Sequence, residues 1–216
     1  MDNSKHLEDI KDIKNMMDKA TRFSSLSGIS IVLAGTLAVI AGFIIYSDLE
    51  FFLQDGKLIG YSGLIEGEAG KEDLNRKIKL LVSVGAILFS ISFLSFYFSG
   101  LRKSKKQQVE FWNSSMKRAL RALFVPVLSG GVFSVMLINQ GYVGMIAPAT
   151  LIFYGLGLIS ASKFTYGDIE ILGYVQLVLG LISSFYMGYG LLFWVTGFGI
   201  CHIIFGLIFF FKYDRK

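Results

Sequence analysis

The chain has 216 residues, of which 53% are hydrophobic and only 17% are charged, and its formal net charge is +5. Soluble domains carry about 25% charged residues, so this composition argues against an ordinary soluble fold. The charges are also unevenly placed, because four stretches contain no Asp, Glu, Lys or Arg: 23–47, 80–101, 122–162 and 171–211. These stretches are apolar on all sides rather than amphipathic, which is typical of membrane helices.

A transmembrane helix needs about 20 apolar residues, because it rises ~1.5 Å per residue through ~30 Å of hydrocarbon. The first two uncharged stretches each fit one span, and each of the last two is long enough for two spans. The sequence therefore predicts an all-α, polytopic membrane bundle over 23–216, with no alternating β-barrel pattern. Its six transmembrane helices are expected at about 23–46, 80–101, 120–138, 142–162, 169–187 and 191–211.

The orientation of the bundle follows from its Lys and Arg residues, which membrane proteins concentrate in cytoplasmic segments. Sixteen of the 21 fall in the segment 1–22, in the connection 102–121, at Lys163 and in 212–216. The other five all lie in the connection 47–79. We therefore expect a multi-pass protein of the cytoplasmic (inner) membrane, with both termini in the cytoplasm and an external loop at 47–79.

The segment 1–22 has an amphipathic helical pattern. Its apolar residues recur at intervals of three and four: Leu7, Ile10, Ile13, Met17 and Ala20. This spacing predicts a cytoplasmic helix that lies on the membrane surface or caps the bundle. The alternative is a docking helix for a protein partner.

The two longest connections differ in character. In the external loop 47–79, the Asp55-Gly56 pair between apolar residues predicts a small β-hairpin over 51–61, because Asp-Gly suits a type I′ turn. The basic loop 102–121 mixes Lys and Arg with apolar and aromatic residues, which favours contact with anionic lipids. The positive-inside rule explains these charges, so they do not indicate a nucleic-acid partner.

An ionisable side chain inside hydrocarbon is costly, so it is a candidate functional residue. His202 is the centrally placed one, and Gln176 and Tyr154 are expected at similar depth because successive helices alternate in direction. Together they predict an intramembrane polar site. One interpretation is an interhelical hydrogen bond worth ~0.6 kcal/mol. The other is a proton-sensing or solute-binding site, because histidine titrates near neutral pH.

Three other residues have predicted structural roles. Pro148 cannot donate a hydrogen bond to the carbonyl of Gly144, so we expect it to kink the fourth helix. Asp168 and Glu170 stand at the start of the fifth span, where carboxylates favour the positive end of the helix dipole.

Signatures of catalysis and metal binding are missing from the sequence. It contains no nucleophile elbow, HExxH motif, phosphate-binding loop or dinucleotide fingerprint. It has no Cys/His cluster with zinc-ligand spacing, and its single cysteine, Cys201, excludes an internal disulfide. We therefore expect no enzymatic activity, no cofactor and no metal site.

The last two uncharged stretches match each other at a shift of 49 residues, which suggests a duplication. Glycines take part in three of the matches: Gly131/Gly180, Gly141/Gly190 and Gly157/Gly206. The C-terminal third, from Gly173 to the closing Gly206-Leu207-Ile208, resembles the HdeD-like short-repeat proteins. Most of the chain, with Arg22-Phe23-Ser24-Ser25-Leu26-Ser27-Gly28 entering the first span, also resembles uncharacterised small bacterial six-span membrane proteins. The HdeD-like resemblance implies a role in stress and no catalytic residue.

Two functions remain open from the sequence. The first is a non-enzymatic membrane protein with a structural, regulatory or stress-related role, motivated by the scarcity of buried polar groups. Its candidate contact surfaces are the N-terminal helix, for a protein partner or a second copy of the chain, and the basic loop. The alternative is a small-solute or proton-coupled transporter that uses the polar layer around His202.

Overall fold

The computed structural model describes residues 25–48 and 68–215. These residues form six helices that are long and apolar enough to cross a membrane, and they contain no strand. For the described residues, the prediction of an all-α bundle with six helices of membrane-spanning length and composition is confirmed, and the orientation of the termini stays a prediction. The amphipathic helix expected over 1–22 and the hairpin expected over 51–61 lie outside the described residues and stay predictions.

The six helices follow one another with short connections. They are α1 (Gly28–Asp48), α2 (Glu68–Gln107), α3 (Ser114–Asn139), α4 (Ile146–Ser162), α5 (Asp168–Phe185) and α6 (Gly190–Asp214). Two short 3₁₀ turns, Val143–Met145 and Met187–Tyr189, precede α4 and α6. Within α6, α-helical and π-helical segments alternate: Gly190–Trp194 (α), Val195–Cys201 (π), His202–Phe209 (α) and Phe210–Asp214 (π).

Helices α2 and α3 extend beyond the predicted spans. Residues 68–79 and 102–107 belong to α2, and 114–121 belong to α3, so only 108–113 remain as a connection. The expected basic loop 102–121 is therefore mostly helical. The physical reason is that charge ends a hydrophobic span without ending a helix, since Lys, Arg, Glu and Gln are good helix formers. At ~1.5 Å per residue, the 40 residues of α2 reach about 60 Å, twice the hydrocarbon thickness.

The connection between α2 and α3 is fixed by hydrogen bonds at both of its ends. Helix α2 ends in a Schellman-type cap, in which Gln108 adopts a positive φ of 55° and the N–H of Val109 donates to the carbonyl of Ser104. Asn113 is the N-cap residue of α3, and its side chain accepts from the N–H of Met116 at 2.8 Å. The two caps set the reversal of the chain without a long loop.

Glycines allow the helices to pack closely. A Cβ atom at Gly35 would lie 2.7 Å from the carbonyl oxygen of Gly199, so α1 and α6 meet almost backbone to backbone. Gly155 and Gly173 make the same kind of contact between α4 and α5. Helix α2 lies at the edge of this bundle, and no residue along its most apolar stretch is buried.

Pro148 lies at the start of α4, and the kink expected there stays a prediction. It is the third residue of α4, directly after the 3₁₀ turn Val143–Met145. In the first turn of a helix an N–H has no intrahelical partner, so proline is tolerated there without breaking the ladder. Pro148 therefore marks the start of α4. Pro126 is the proline that lies inside a helix, α3.

The bundle has a basic end, defined as the end where α1, α3 and α5 begin and α2, α4 and α6 end. Contacts between Lys103 of α2 and Asp214 of α6, and between Asp168 of α5 and Lys212 of α6, hold these termini together. The opposite end carries the turns around Gly141 and Gly188.

Candidate intramembrane polar site

The three polar residues singled out in the sequence lie together between α4, α5 and α6. The hydroxyl of Tyr154 is 2.9 Å from Nε2 of His202, and Nδ1 of His202 is 2.9 Å from the carbonyl oxygen of Gly197. The side-chain amide of Gln176 donates to the same carbonyl at 2.7 Å. The cluster lies twelve residues before the end of α6, about 18 Å into the bundle from its basic end.

The contacts of His202 define its tautomer. A backbone carbonyl can only accept, so Nδ1 carries the hydrogen and donates it to Gly197. Nε2 is then the acceptor in the neutral ring, and the Tyr154 hydroxyl donates to it. Both ring nitrogens of a neutral histidine are thus satisfied within the bundle.

Gln176 is fully buried, and its amide is only partly satisfied. Its Nε2 also lies 3.5 Å from Nδ1 of His202, but both atoms donate to Gly197, so we regard this contact as two donors converging on one acceptor. Among the described residues, its Oε1 has no hydrogen-bond partner. A buried amide oxygen without a donor is costly, which makes this atom the one open position of the cluster.

The local backbone of α6 explains how one carbonyl accepts two side chains. Gly197 lies in the π-helical segment Val195–Cys201, whose wider turn opens the backbone ladder to side chains. A Cβ atom at this position would lie 2.5 Å from Oε1 of Gln176 and from Cδ2 of Leu151. Only glycine therefore lets α5 approach α6 closely enough for Gln176 to reach the carbonyl.

Aromatic rings enclose the cluster. The His202 ring stacks on Tyr154 and Phe198 at centroid distances of 5.5 and 5.9 Å, and Phe198 contacts Trp194 at 5.1 Å. His202 keeps only 5% of its surface exposed. Two surface grooves at the basic end, one beside Asp168 and Lys212 and one beside Arg118 and Arg121, do not include His202 in their linings.

A second polar cluster at the basic end was not predicted from the sequence. The Asp214 carboxylate accepts from Lys103 Nζ at 2.6 Å, from the N–H of Gly28 at 2.7 Å and from the Ser27 hydroxyl at 3.2 Å. Lys103 also donates to the carbonyl of Leu26 at 2.6 Å. Asp214 therefore caps the first helix of the bundle from the end of the last one.

This second cluster is largely shielded from solvent. The side chains of Lys103 and Asp214 are only 12% and 9% exposed. Tyr166, in the connection between α4 and α5, packs beside them, and burial together with the negative charge of Asp214 raises its pKa to about 12. Its phenol is therefore neutral at physiological pH. Lys103 also lies 5.7 Å from the centroids of the Tyr166 and Phe209 rings.

Asp168 and Glu170 lie in the first turn of α5, and both also accept hydrogen bonds from side chains. Asp168 accepts from Lys212 at 2.7 Å and from the Tyr213 hydroxyl at 2.9 Å, closing a shallow apolar groove of about 270 Å³ beside Phe205. Glu170 accepts from Tyr174 at 3.1 Å. In the described part of the chain, no group of three or more His, Cys, Asp or Glu residues could hold a metal ion.

Comparisons with protein-family models, with curated proteins and with solved structures give no match for this chain.

Proposed function

We propose that this chain is a non-enzymatic multi-pass membrane protein with a structural or regulatory role. The observation that carries the proposal is the enclosure of the His202 cluster. Both ring nitrogens of His202 have partners inside the bundle, and aromatic rings cover the side chain. Such a cluster ties three helices together through hydrogen bonds, which is a packing role.

A transport role would make a different demand on the same residues. A proton or solute has to exchange with water on each side of the membrane, so an ionisable group on its path faces a water-filled cavity. The 5% exposure of His202 and the rings of Tyr154 and Phe198 that stack on it do not favour such a path. The absence of catalytic motifs in the sequence supports a non-enzymatic role in the same way.

The second candidate is the small-solute or proton-coupled transporter. One observation favours it, which is the unpartnered Oε1 of Gln176 next to the π-helical segment of α6. An open acceptor in the middle of the bundle could take a donor from a passing ligand, and π segments are frequent at functional sites. In this candidate His202 is the residue that gains and loses a proton.

Proton flux into liposomes separates the two candidates. The purified protein is reconstituted with a pH-sensitive dye inside, and a potassium diffusion potential drives protons inward. We expect wild type and His202→Gln to give the same flux as protein-free liposomes. A wild-type flux that disappears in His202→Gln but persists in Thr196→Val would refute the structural role. Thr196 is a suitable control because it lies in the same span and bonds only within its own helix.

We infer in addition that both termini are cytoplasmic and that the protein resides in the inner membrane. The support is the concentration of Lys and Arg at the basic end. Single cysteines at Lys106 and Asn139, both exposed and at opposite ends of the bundle, test this in a Cys201→Ser background. In intact cells an impermeant maleimide is expected to label the Asn139→Cys variant and to spare Lys106→Cys. The reverse pattern contradicts the inferred orientation.

We also propose a stress-related role for the protein and a contact surface on the N-terminal segment 1–22. The resemblance of the C-terminal third to HdeD-like proteins is the support for the stress-related role. The amphipathic pattern of 1–22 supports a helix that contacts the membrane, a protein partner or a second copy of the chain. Growth under acid shock with and without the gene tests the stress-related role, and equal survival of both strains contradicts it.

A further inference from the structure

A groove of about 420 Å³ opens between the first turns of α3 and the last turn of α4, at the basic end of the bundle. One half of its lining is polar and cationic, formed by Arg118, Arg121 and Ser160. The other half is apolar, formed by Ala122, Val125 and Pro126. The groove therefore presents two kinds of surface in one place, stacked along the direction of the helices.

The two arginines are positioned and available. The guanidinium of Arg118 lies 5.6 Å from the centroid of the Phe164 ring, a cation–π contact that holds it at the mouth of the groove. Arg121 follows on the same face of α3, almost one turn later. The ion pairs among the described residues use Lys103 and Lys212, and no carboxylate lines the groove. A guanidinium pair of this kind matches the oxygens of a phosphate group.

The depth of the groove agrees with the boundary between headgroups and hydrocarbon. Helix α3 has 26 residues and reaches about 39 Å, which exceeds ~30 Å of hydrocarbon by about 9 Å, or about six residues. With this excess at the basic end, Arg118 lies outside the hydrocarbon, Arg121 lies at its boundary, and Val125 and Pro126 lie just inside it. Pro126 has no N–H to donate to the carbonyl of Ala122. This carbonyl is therefore left as a hydrogen-bond acceptor at the boundary between the cationic and the apolar half of the groove.

We propose that this groove binds one anionic glycerophospholipid from the leaflet at the basic end. The phosphate lies between Arg118 and Arg121, and an acyl chain follows Val125 and Pro126 towards the membrane centre. A free phosphate ion would use only the cationic half, and a neutral lipid would use only the apolar half. A lipid with a negatively charged headgroup uses both, and it is already present at this depth in a membrane.

Native mass spectrometry of the full-length protein in neutral detergent tests the proposal. Titrations compare phosphatidylglycerol with phosphatidylcholine carrying the same acyl chains. We expect one tightly bound phosphatidylglycerol in wild type, and a loss of affinity of roughly 30-fold in Arg118→Gln/Arg121→Gln, because two interfacial cations are removed. Lys105→Gln/Lys106→Gln removes two exposed charges from the end of α2 and is expected to bind like wild type. Equal losses in both double variants would mean diffuse attraction and overturn the site.

Two further arms distinguish the sources of phosphate and the competing occupants. Val125→Trp fills the apolar half, so we expect it to weaken phosphatidylglycerol binding while leaving both arginines in place. Inorganic phosphate at millimolar concentration is expected not to displace the lipid, and displacement would identify a site for the free ion instead. Tighter lipid binding after removal of residues 1–22 would show that the acidic residues of that segment occupy the groove in the full chain, which also overturns the proposal.

Discussion

The buried ion pair between Lys103 and Asp214 gives the sharpest prediction of stability. We consider the replacement of Asp214 by alanine, which removes all of its hydrogen bonds together with its charge. The N–H of Gly28 loses its acceptor, and the Lys103 ammonium keeps only the carbonyl of Leu26 as a partner. The perturbation therefore leaves a cation and a helix terminus unsatisfied in a place with little access to water.

The expected magnitude follows from burial. The side chains of Lys103 and Asp214 are 12% and 9% exposed, so solvent screens the remaining charge poorly. Breaking a buried pair by removing one partner costs about 3–5 kcal/mol. Loss of an N-cap contact adds about 1 kcal/mol. We expect Asp214→Ala to lower the free energy of unfolding by about 4 kcal/mol, and Asp214→Asn by less, because its amide oxygen can still accept from Gly28.

Reversible unfolding in mixed micelles of SDS and a mild detergent measures this change. The matched control is Asp168→Ala, which breaks the other Lys–Asp pair at the same end, where Lys212 is 53% exposed and water screens the charges. We expect little change there. A double-mutant cycle of Lys103→Met and Asp214→Ala should give a coupling above ~1.5 kcal/mol. Equal losses at Asp214 and Asp168, or no coupling in the cycle, would refute the reasoning.

Three further changes test other features by the same unfolding measurement. Gly197→Ala places a methyl group 2.5 Å from Oε1 of Gln176 and should lower the free energy of unfolding by ~1–3 kcal/mol. Gly131→Ala is the control, because a Cβ atom there has nothing within 4 Å, and it should leave the free energy of unfolding equal or higher. Equal effects of the two variants would contradict the close approach of α5 to α6. Gln108→Gly should stabilise the protein by ~0.5–1 kcal/mol, because glycine adopts the positive φ at the end of α2 without strain. A loss of stability would show that contacts of the Gln108 side chain contribute more than the backbone strain costs. Tyr154→Phe removes a donor to the buried histidine and should cost ~1 kcal/mol, and an unchanged midpoint would show that this hydrogen bond contributes nothing.

The sequence was sufficient for the number and class of the spans, because uncharged stretches of known length have one physical explanation in a membrane. It was insufficient for the helix ends. The predicted loops 47–79 and 102–121 depend on charge, and charge marks the edge of the hydrocarbon rather than the edge of a helix. Pro148 shows the same limitation, since only the structure reveals that α4 begins two residues before it.

The candidate site could be predicted in part. Counting residues from the basic end suggested that Tyr154, Gln176 and His202 share a depth, and the structure brings them into contact. Their functional role stays a prediction. The carbonyl of Gly197 that joins them was missed, because nothing in a sequence reports a π-helical turn. The pair of Lys103 and Asp214 was missed because its members are 111 residues apart and follow no periodic pattern.

The contact between the first and last helices has a consequence for how the chain is made. Translation delivers α1 to the membrane well before α6, so the face of α1 around Gly35 lacks its partner in α6 until that helix has been inserted. The N–H of Gly28 likewise lacks its acceptor, the Asp214 carboxylate, until the ribosome has added 186 more residues. During that interval lipid or a chaperone has to cover this face of α1, and its packing against α6 forms only after α6 has been inserted.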